Sequence, residues 1–462
     1  MTARALLVDF GSTYTKVTAV DLEKRCLLGT ARAFTTVQED INIGLTRACR
    51  QLGEELGEDP LTYPHKLGCS SAAGGLKLAA IGLVRELTVE AARLAALGAG
   101  ARLTHVFSRF LTPQDVEQMA ATPPDIILLA GGTDGGNRET IIANAHTLAV
   151  GSLRVPVVVA GNKVAAAQVA EILSQAGFPV RVTENVMPEL NQLNVEPARE
   201  TIREVFLERI IAAKGLDKAE TLLGIVMPTP AAVLQGARLL AEGTPGQRGW
   251  GELLLVDIGG ATTDVHSIAE GGPSKPGVNW KGLPEPKAKR TVEGDLGMRY
   301  SAEALWEATP RALLLKLFRE KWQEGQEYVR KVHQQPDYLP VNEQEWEWDT
   351  LLGYLCARLA TERHVGQLET VYTPFGATFV QYGKDLTQIG HVIGTGGVLV
   401  HHPRPRRILE GVLFEPEQPM LLKPMQPRLW LDQEYILAAM GLLAEIDEEA
   451  AMTIMTAGLR EI

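Results

Sequence analysis

The sequence predicts an α/β protein in which one strand–turn–strand device occurs twice and a further small α/β domain is inserted between the copies. Two observations predict it. The segments Leu6-Leu-Val-Asp-Phe-Gly-Ser-Thr-Tyr-Thr-Lys16 and Leu253-Leu-Leu-Val-Asp-Ile-Gly-Gly-Ala-Thr-Thr-Asp-Val265 each run from an apolar strand through Asp and Gly to small hydroxyl residues, then back to strand character. Residues 102–215 instead alternate short apolar runs (126–130, 155–160 and 180–182) with helical spacing at 138–149 and 162–176. That β-α-β-α-β texture indicates a parallel sheet with right-handed crossovers.

The elements follow in order. Strands at 5–8, 15–21 and 26–33 form a meander, and apolar residues at helical spacing over 36–56 cover it. A short strand at 66–72 runs into Gly74-Gly75, and the Leu/Ala-rich pattern of 76–97 predicts a helix. After the insertion a strand at 222–227 leads into a helix at Pro228-Thr-Pro-Ala-Ala232, and residues 244–251 make a turn-rich linker. Residues 301–370 are mostly helical, interrupted at 335–341 by Pro336 and Pro340, with Trp346 and Trp348 at a helix start. The Pro-rich stretch 402–430, with Arg404, Arg406 and Arg407, reads as a surface connection, and His401-His402 as exposed loop.

At 462 residues two or three domains are expected. A balance of 45 Lys+Arg against 56 Asp+Glu, net −11, excludes a general nucleic-acid surface, which needs a basic patch. No segment reads as a membrane span or leader. Cys26, Cys49, Cys69 and Cys356, without a Cys-x-x-Cys, suggest neither a zinc site nor a disulfide framework. The expected location is cytoplasmic, with no membrane or nucleic-acid partner.

A hairpin of this composition suits a nucleotide's phosphates. Glycines let the turn bend sharply and bring backbone N–H groups to phosphate oxygens, the hydroxyls add donors, and the Asp can hold the hydration shell of Mg²⁺. Asp257-Ile-Gly-Gly-Ala-Thr-Thr-Asp264 resembles the second phosphate loop of the actin-like ATPase superfamily, and Asp9-Phe-Gly-Ser-Thr-Tyr-Thr-Lys16 is similar to its first. Residues 228–236 resemble the first connecting helix, Glu293-Gly-Asp-Leu-Gly297 the loop after the second hairpin, Ile393-Gly-Thr-Gly-Gly-Val398 the adenosine loop, and Ala438-Ala-Met-Gly-Leu-Leu443 the second connecting helix. Together with Gly-Gly-Thr-Asp-Gly-Gly at 131–136 and Glu293-Gly-Asp-Leu-Gly-Met-Arg299, they resemble the glutamate mutase accessory protein family (the MutL or GlmL type) over essentially the full length.

The resemblance implies duplicated ribonuclease-H-like lobes with an inserted α/β domain. The expected division is 1–100 first lobe, 101–215 insertion, 216–245 first lobe with the connecting helix, 246–430 second lobe, and 431–462 a C-terminal connecting helix closing on the first lobe. It also implies ATP and Mg²⁺ in a cleft between the lobes. The expected phosphate contacts are Gly11, Ser12, Thr13, Lys16, Gly259, Gly260, Ala261 and Thr262, although Lys16 reads equally as solvent-facing. Adenosine is expected at Gly394, Thr395, Gly396, Gly397, Glu293 and Asp295, and Mg²⁺, through water, at Asp9 and Asp257. Asp264 reads as a brace for the hairpin's own backbone, and Cys69 as packing. The 131–137 loop reads either as an anion site at a helix start or as a tight turn capped by Asn137. The implied function is an ATP-binding, slowly hydrolysing chaperone that frees damaged cobalamin from an adenosylcobalamin-dependent mutase or aminomutase. Met227 stands where such ATPases usually carry a carboxylate or amide, so no catalytic residue is assigned, and a small-molecule kinase is the alternative. The cobalamin-binding Asp-x-His-x-x-Gly is absent, so the chain itself is not expected to hold that cofactor.

Overall fold

The computed structural model describes residues 3–11, 14–35, 41–71, 76–213, 224–374 and 376–462. Expected features at 12–13, 36–40, 74–75 and 222–223 lie outside them. The chain divides into two compact units. One is Met1–Gly236 with Gly282–Pro286 and Ala438–Ile454; the other is Ala237–Lys281 with Lys287–Leu437 and Met455–Ile462.

In the first unit β1 (Arg4–Phe10), β2 (Tyr14–Asp21) and β3 (Cys26–Phe34) form the antiparallel meander, and β4 (His65–Ser70) runs parallel to β1. The helix Ile41–Leu56 places Leu45, Ala48, Cys49 and Leu52 on one stripe, in a core with Leu6, Val8, Val17 and Ala19.

A separate parallel sheet follows: β5 (Leu76–Gly82), β6 (Ala101–Ser108), β7 (Ile126–Leu129), β8 (Val157–Val159) and β9 (Val180–Val182), in the order β6-β5-β7-β8-β9. Here the sequence expectation for 76–97 is corrected. That stretch is β5, then a π-helical turn Arg85–Val89, then a helix Glu90–Gly98. The physical reason is burial on both faces. β5 lies between β6 and β7, so its apolar run shows no alternation, and periodicity alone cannot separate such a run from a buried helix. The parallel sheet accordingly begins at Leu76, ahead of the boundary expected near residue 101.

β10 (Gly224–Pro228) returns to the first sheet beside β4, giving β10-β4-β1-β2-β3. The helix Thr229–Glu242 then leaves it. This helix meets the helix Leu437–Leu443 at small residues: a Cβ on Gly441 would lie 1.8 Å from the Ala232 carbonyl oxygen and 3.1 Å from the Gly236 nitrogen.

In the second unit β11 (Leu253–Ile258) and β12 (Thr263–Ile268) form the other hairpin. A short strand, β13 (Val278–Trp280), comes next, and β14 (Ala288–Glu293) completes the meander. After a helical stretch come β15 (Gln367–Thr373), β16 (Gly376–Tyr382), β17 (His391–Thr395), β18 (Arg428–Asp432) and β19 (Leu459–Glu461). The main sheet has the order β14-β12-β11-β17-β18-β19, with β17 and β18 parallel to β11's direction. Counted from the third strand of each meander, the first hairpin sheet reads 3-2-1-4-5, and the second reads the same with β19 added at its far edge. This is the duplicated lobe that the resemblance implied. The helix Glu343–His364 packs on the second sheet and contributes Leu352, Leu355, Cys356 and Leu359 to its core. Among the described residues no helix is long and apolar enough to cross a membrane.

The helix crossing at Gly441 generates a prediction. Gly441→Ala should lower the urea midpoint with an unchanged m value, because overpacking of this kind costs about 1–3 kcal/mol. A wild-type midpoint would contradict so close a crossing.

Candidate functional site

The two hairpins close in the same way. Gly11 N–H donates to the Tyr14 carbonyl at 3.0 Å, and Gly259 N–H donates to the Thr262 carbonyl at 2.9 Å. A Cβ at Gly11 would stand 2.6 Å from the Tyr14 oxygen, which excludes any other residue there without a shift of the turn. In the strand registers Asp9 faces Lys16, and Asp257 faces Asp264.

In the first unit the structure brings Asp9, Gly11 and Lys16 together; Ser12 and Thr13 lie outside the described residues. The Lys16 ammonium sits 2.9 Å from Asp9 Oδ2, an alternative to both sequence readings. The other oxygen of Asp9 accepts from the Thr229 hydroxyl at 2.6 Å and from the Cys69 thiol at 3.6 Å. Thr229 was not singled out from sequence. It stands one residue beyond β10, and only the pairing of β10 with β4 and of β4 with β1 carries it over to Asp9. Cys69 is fully buried, and burial followed by the nearby Asp9 charge pushes its thiol well above the ordinary range, so it is no nucleophile. Met227 is 1 % exposed and paired with Cys69.

In the second unit Asp257, Gly259, Gly260, Ala261 and Thr262 share one hairpin end, and the residues 293–301 are stitched to it. Met298 and Arg299 N–H donate to the Gly259 and Gly260 carbonyls at 3.2 and 2.8 Å. Ser301 Oγ donates to the Ala261 carbonyl at 2.6 Å, and Thr263 Oγ1 to that of Leu296 at 2.6 Å. Asp264 corrects its reading as a backbone brace. Its carboxylate binds the buried Arg290 guanidinium at 2.6 Å, which relieves the like charge set opposite Asp257. Arg290 is buried and Asp264 partly buried, so the pair constrains the hairpin.

The expected adenosine residues divide. Gly396, with φ +97°, lies against Asp257: a Cβ there would stand 2.5 Å from Asp257 Oδ1. At Gly394 a Cβ would meet Leu409 and Leu399 at 2.8 and 3.0 Å, so that glycine answers to packing inside the lobe. A Cβ on Gly397 would meet the Tyr435 ring at 3.9 Å, an ordinary contact. Thr395 is buried, its hydroxyl donating to Asp432 at 2.8 Å, while Asp432 also accepts from the N–H groups of Ile436 and Leu437. Glu293 and Asp295 are both gripped by Arg363, at 2.7 Å each, and that hydrogen bonding holds the Asp295 carboxyl below the usual range. Arg363 and Asp432 carried no motif signal.

The 131–137 loop is braced by its own Thr133 and by residues of the neighbouring loops. Asp134 N–H donates to the Pro188 carbonyl, Gly135 N–H to Asn162 Oδ1, and Gly136 N–H to the Thr133 carbonyl, at 2.9, 3.1 and 2.9 Å. Asn137 Oδ1 accepts from Thr140 N–H at 3.2 Å, one residue ahead of the N-cap of the helix Glu139–Val150, which is Arg138 and has no side-chain cap bond of its own. The His401-His402 expectation is corrected in part: His402 is buried, with Nδ1 accepting from Arg404 N–H at 3.0 Å and the Trp346 ring edge-on to it. Arg404 and Arg407 are tied to Glu347 at 2.8 and 2.6 Å.

No group of three or more His, Cys, Asp or Glu able to hold a metal ion occurs among the described residues. Hydrated Mg²⁺ asks for less, usually one or two carboxylates plus phosphate oxygens. Asp9 fits that demand, since its Oδ2 already faces a cation in Lys16, and Asp257 stands at the matching position of the second hairpin.

The family model described as MutL protein matches residues 5–459. The chain is 53 % identical over 451 residues to Protein MutL of Clostridium tetanomorphum, covering 97 % of this chain and 98 % of that one. Among solved structures it is similar to nucleotide-free acetone carboxylase, with a TM-score of 0.43 and 15 % identity over 96 % of this chain and 70 % of that one. It is also similar to gluconate kinase from Lactobacillus acidophilus, with a TM-score of 0.37 and 10 % identity over 100 % of this chain and 93 % of that one.

Two predictions follow from burial. Cys69 is raised by burial, and burial pushes Cys49 and Cys356 up to about 12, whereas Cys26 is half-buried. A native thiol titration at pH 8 should therefore show one fast-reacting cysteine, with the other three reacting only after unfolding; a second fast thiol would contradict this packing. Burial also lowers His402 from 6.5 to about 4, so between those values the unfolded chain binds more protons than the folded one. Stability should fall as pH drops through that window, and His402→Gln should flatten the fall in denaturation midpoint between pH 7 and pH 5. An equal fall in both proteins would contradict the assignment.

Proposed function

The chain belongs to the MutL protein family, and on that premise we propose that it is an accessory chaperone for an adenosylcobalamin-dependent mutase or aminomutase, glutamate mutase being the model client. It binds ATP with Mg²⁺, turns it over slowly, and uses the nucleotide to shift the balance between conformations. Damaged cobalamin leaves the client in that cycle, which takes place in the cytoplasm. The parallel sheet β6-β5-β7-β8-β9 and its helices form the part we assign to transmitting the motion.

The observation that carries this reading is the equivalence of the hairpins. The same Gly N–H to carbonyl closure, the same strand-end Asp and the same strand order recur at Gly11 and Gly259. At Gly11 and at Gly259 no Cβ stands at the closure of the hairpin, a composition that suits the close approach of phosphate oxygens to the backbone. The chemistry supplied by Mg²⁺ would be neutralisation of phosphate charge, and Asp9 and Asp257 are each proposed as a carboxylate that holds its waters. Phosphoryl transfer to a small molecule is the weaker reading, because the buried thioether of Met227 has no proton to exchange with a substrate hydroxyl.

Calorimetry with Mg²⁺ and ATP tests it. Wild type should bind, while Asp9→Ala and Asp257→Ala should each weaken binding at least about tenfold, the loss of one charge-assisted contact. Mutase inactivated by turnover should then recover activity with wild type and ATP. No binding at millimolar ATP would remove the proposal.

A further inference from the structure

The donors around Asp9 are divided between its two oxygens. Oδ1 receives two neutral groups, the Thr229 hydroxyl at 2.6 Å and the Cys69 thiol at 3.6 Å. Oδ2 receives a cation, the Lys16 ammonium at 2.9 Å. The Asp9 side chain is 8 % exposed and that of Lys16 is 22 % exposed, so the lysine side is the one nearer solvent. Thr229 also lies 3.6 Å from the Cys69 sulfur, so hydroxyl, thiol and carboxylate form one closed cluster.

A hydroxyl 2.6 Å from a carboxylate is a charge-assisted contact, short and directional. Strand geometry makes it possible. Met227 and Pro228 pair with Cys69 and Ser70, and Cys69 and Ser70 pair with Asp9 and Phe10, so the first residue of the helix reaches across β4 to the end of β1. The β-branched side chain of Thr229 further restricts its χ1, which keeps the hydroxyl aimed. We infer that Thr229 is a positioning residue. It fixes Oδ1, so that Oδ2 is the oxygen offered to a cation; Lys16 holds that face, and the same face serves the hydrated Mg²⁺ that accompanies ATP. The inference rests on the nucleotide reading above and deepens it.

The test is ATP affinity of the full chain, measured with Mg²⁺ and again in EDTA, for wild type, Thr229→Val and Thr229→Ser. Val keeps the shape and removes the donor; Ser keeps the donor. In Thr229→Val the gain in affinity that Mg²⁺ confers should fall by about tenfold, as expected for losing a charge-assisted hydrogen bond, while the EDTA value stays at wild type. Thr229→Ser should restore the gain to within about threefold, its hydroxyl keeping the contact with more rotational freedom. Melting temperatures of the three proteins separate misfolding from this effect. A wild-type Mg²⁺ gain in Thr229→Val overturns the inference. So does an equal loss with and without Mg²⁺, which is the signature of a merely structural role. A wild type that binds no nucleotide at all instead removes the nucleotide reading on which the inference stands.

Discussion

A carboxylate at the end of a buried central strand must be partnered, because an unpaired charge out of water is too costly to keep. Each sheet of the duplicated kind meets that demand around its hairpin. At Asp9 the partners are Lys16, Thr229 and Cys69, drawn from three different elements. In the second hairpin Asp257 stands opposite another carboxylate, and Arg290 from β14 absorbs the charge of Asp264.

The second hairpin is braced by the segment that follows its sheet neighbour β14. Backbone bonds from Met298 and Arg299, and hydroxyl bonds from Ser301 and Thr263, lock the 293–301 segment against it. Arg299 continues the chain of contacts to Asp349 at 2.9 Å on the helix Glu343–His364, and Arg363 of the same helix grips Glu293 and Asp295. A side-chain network of this kind is stiff when every member is satisfied. It gives the long helix a mechanical hold on the hairpin, and it explains why two acidic residues of a recognisable motif face an arginine of their own lobe.

The glycine-rich loop at 131–136 shows that a motif's composition does not settle its role. Two adjacent glycines at positive φ, Gly131 and Gly132, let the chain turn after β7. The N–H groups of residues 134–136 are then spent on Pro188, Asn162 and Thr133, so these amides brace the loop. The buried Asn162 and Asn185 complete the turn by donating to the carbonyls of Gly136 and Gly132.

The sequence by itself determined the α/β class, the two hairpins, the inserted parallel arrangement and the two small-residue helices, because each depends on local chemistry. Asp-apolar-Gly at the end of an apolar run, and small residues such as Gly441 at helical spacing, carry their meaning without neighbours. It could not separate β5 from a helix, since a strand buried on both faces loses its alternation. Nor could it find Thr229, Arg290, Arg363 or Asp432. Their roles arise from pairings between residues 26 to 220 positions apart, or, for Asp432, from a turn that folds back on its own N–H groups. Only the tertiary structure decided what partners each carboxylate, because the charge balance of a buried site is set by strand register and helix placement, and spacing along the chain does not encode either.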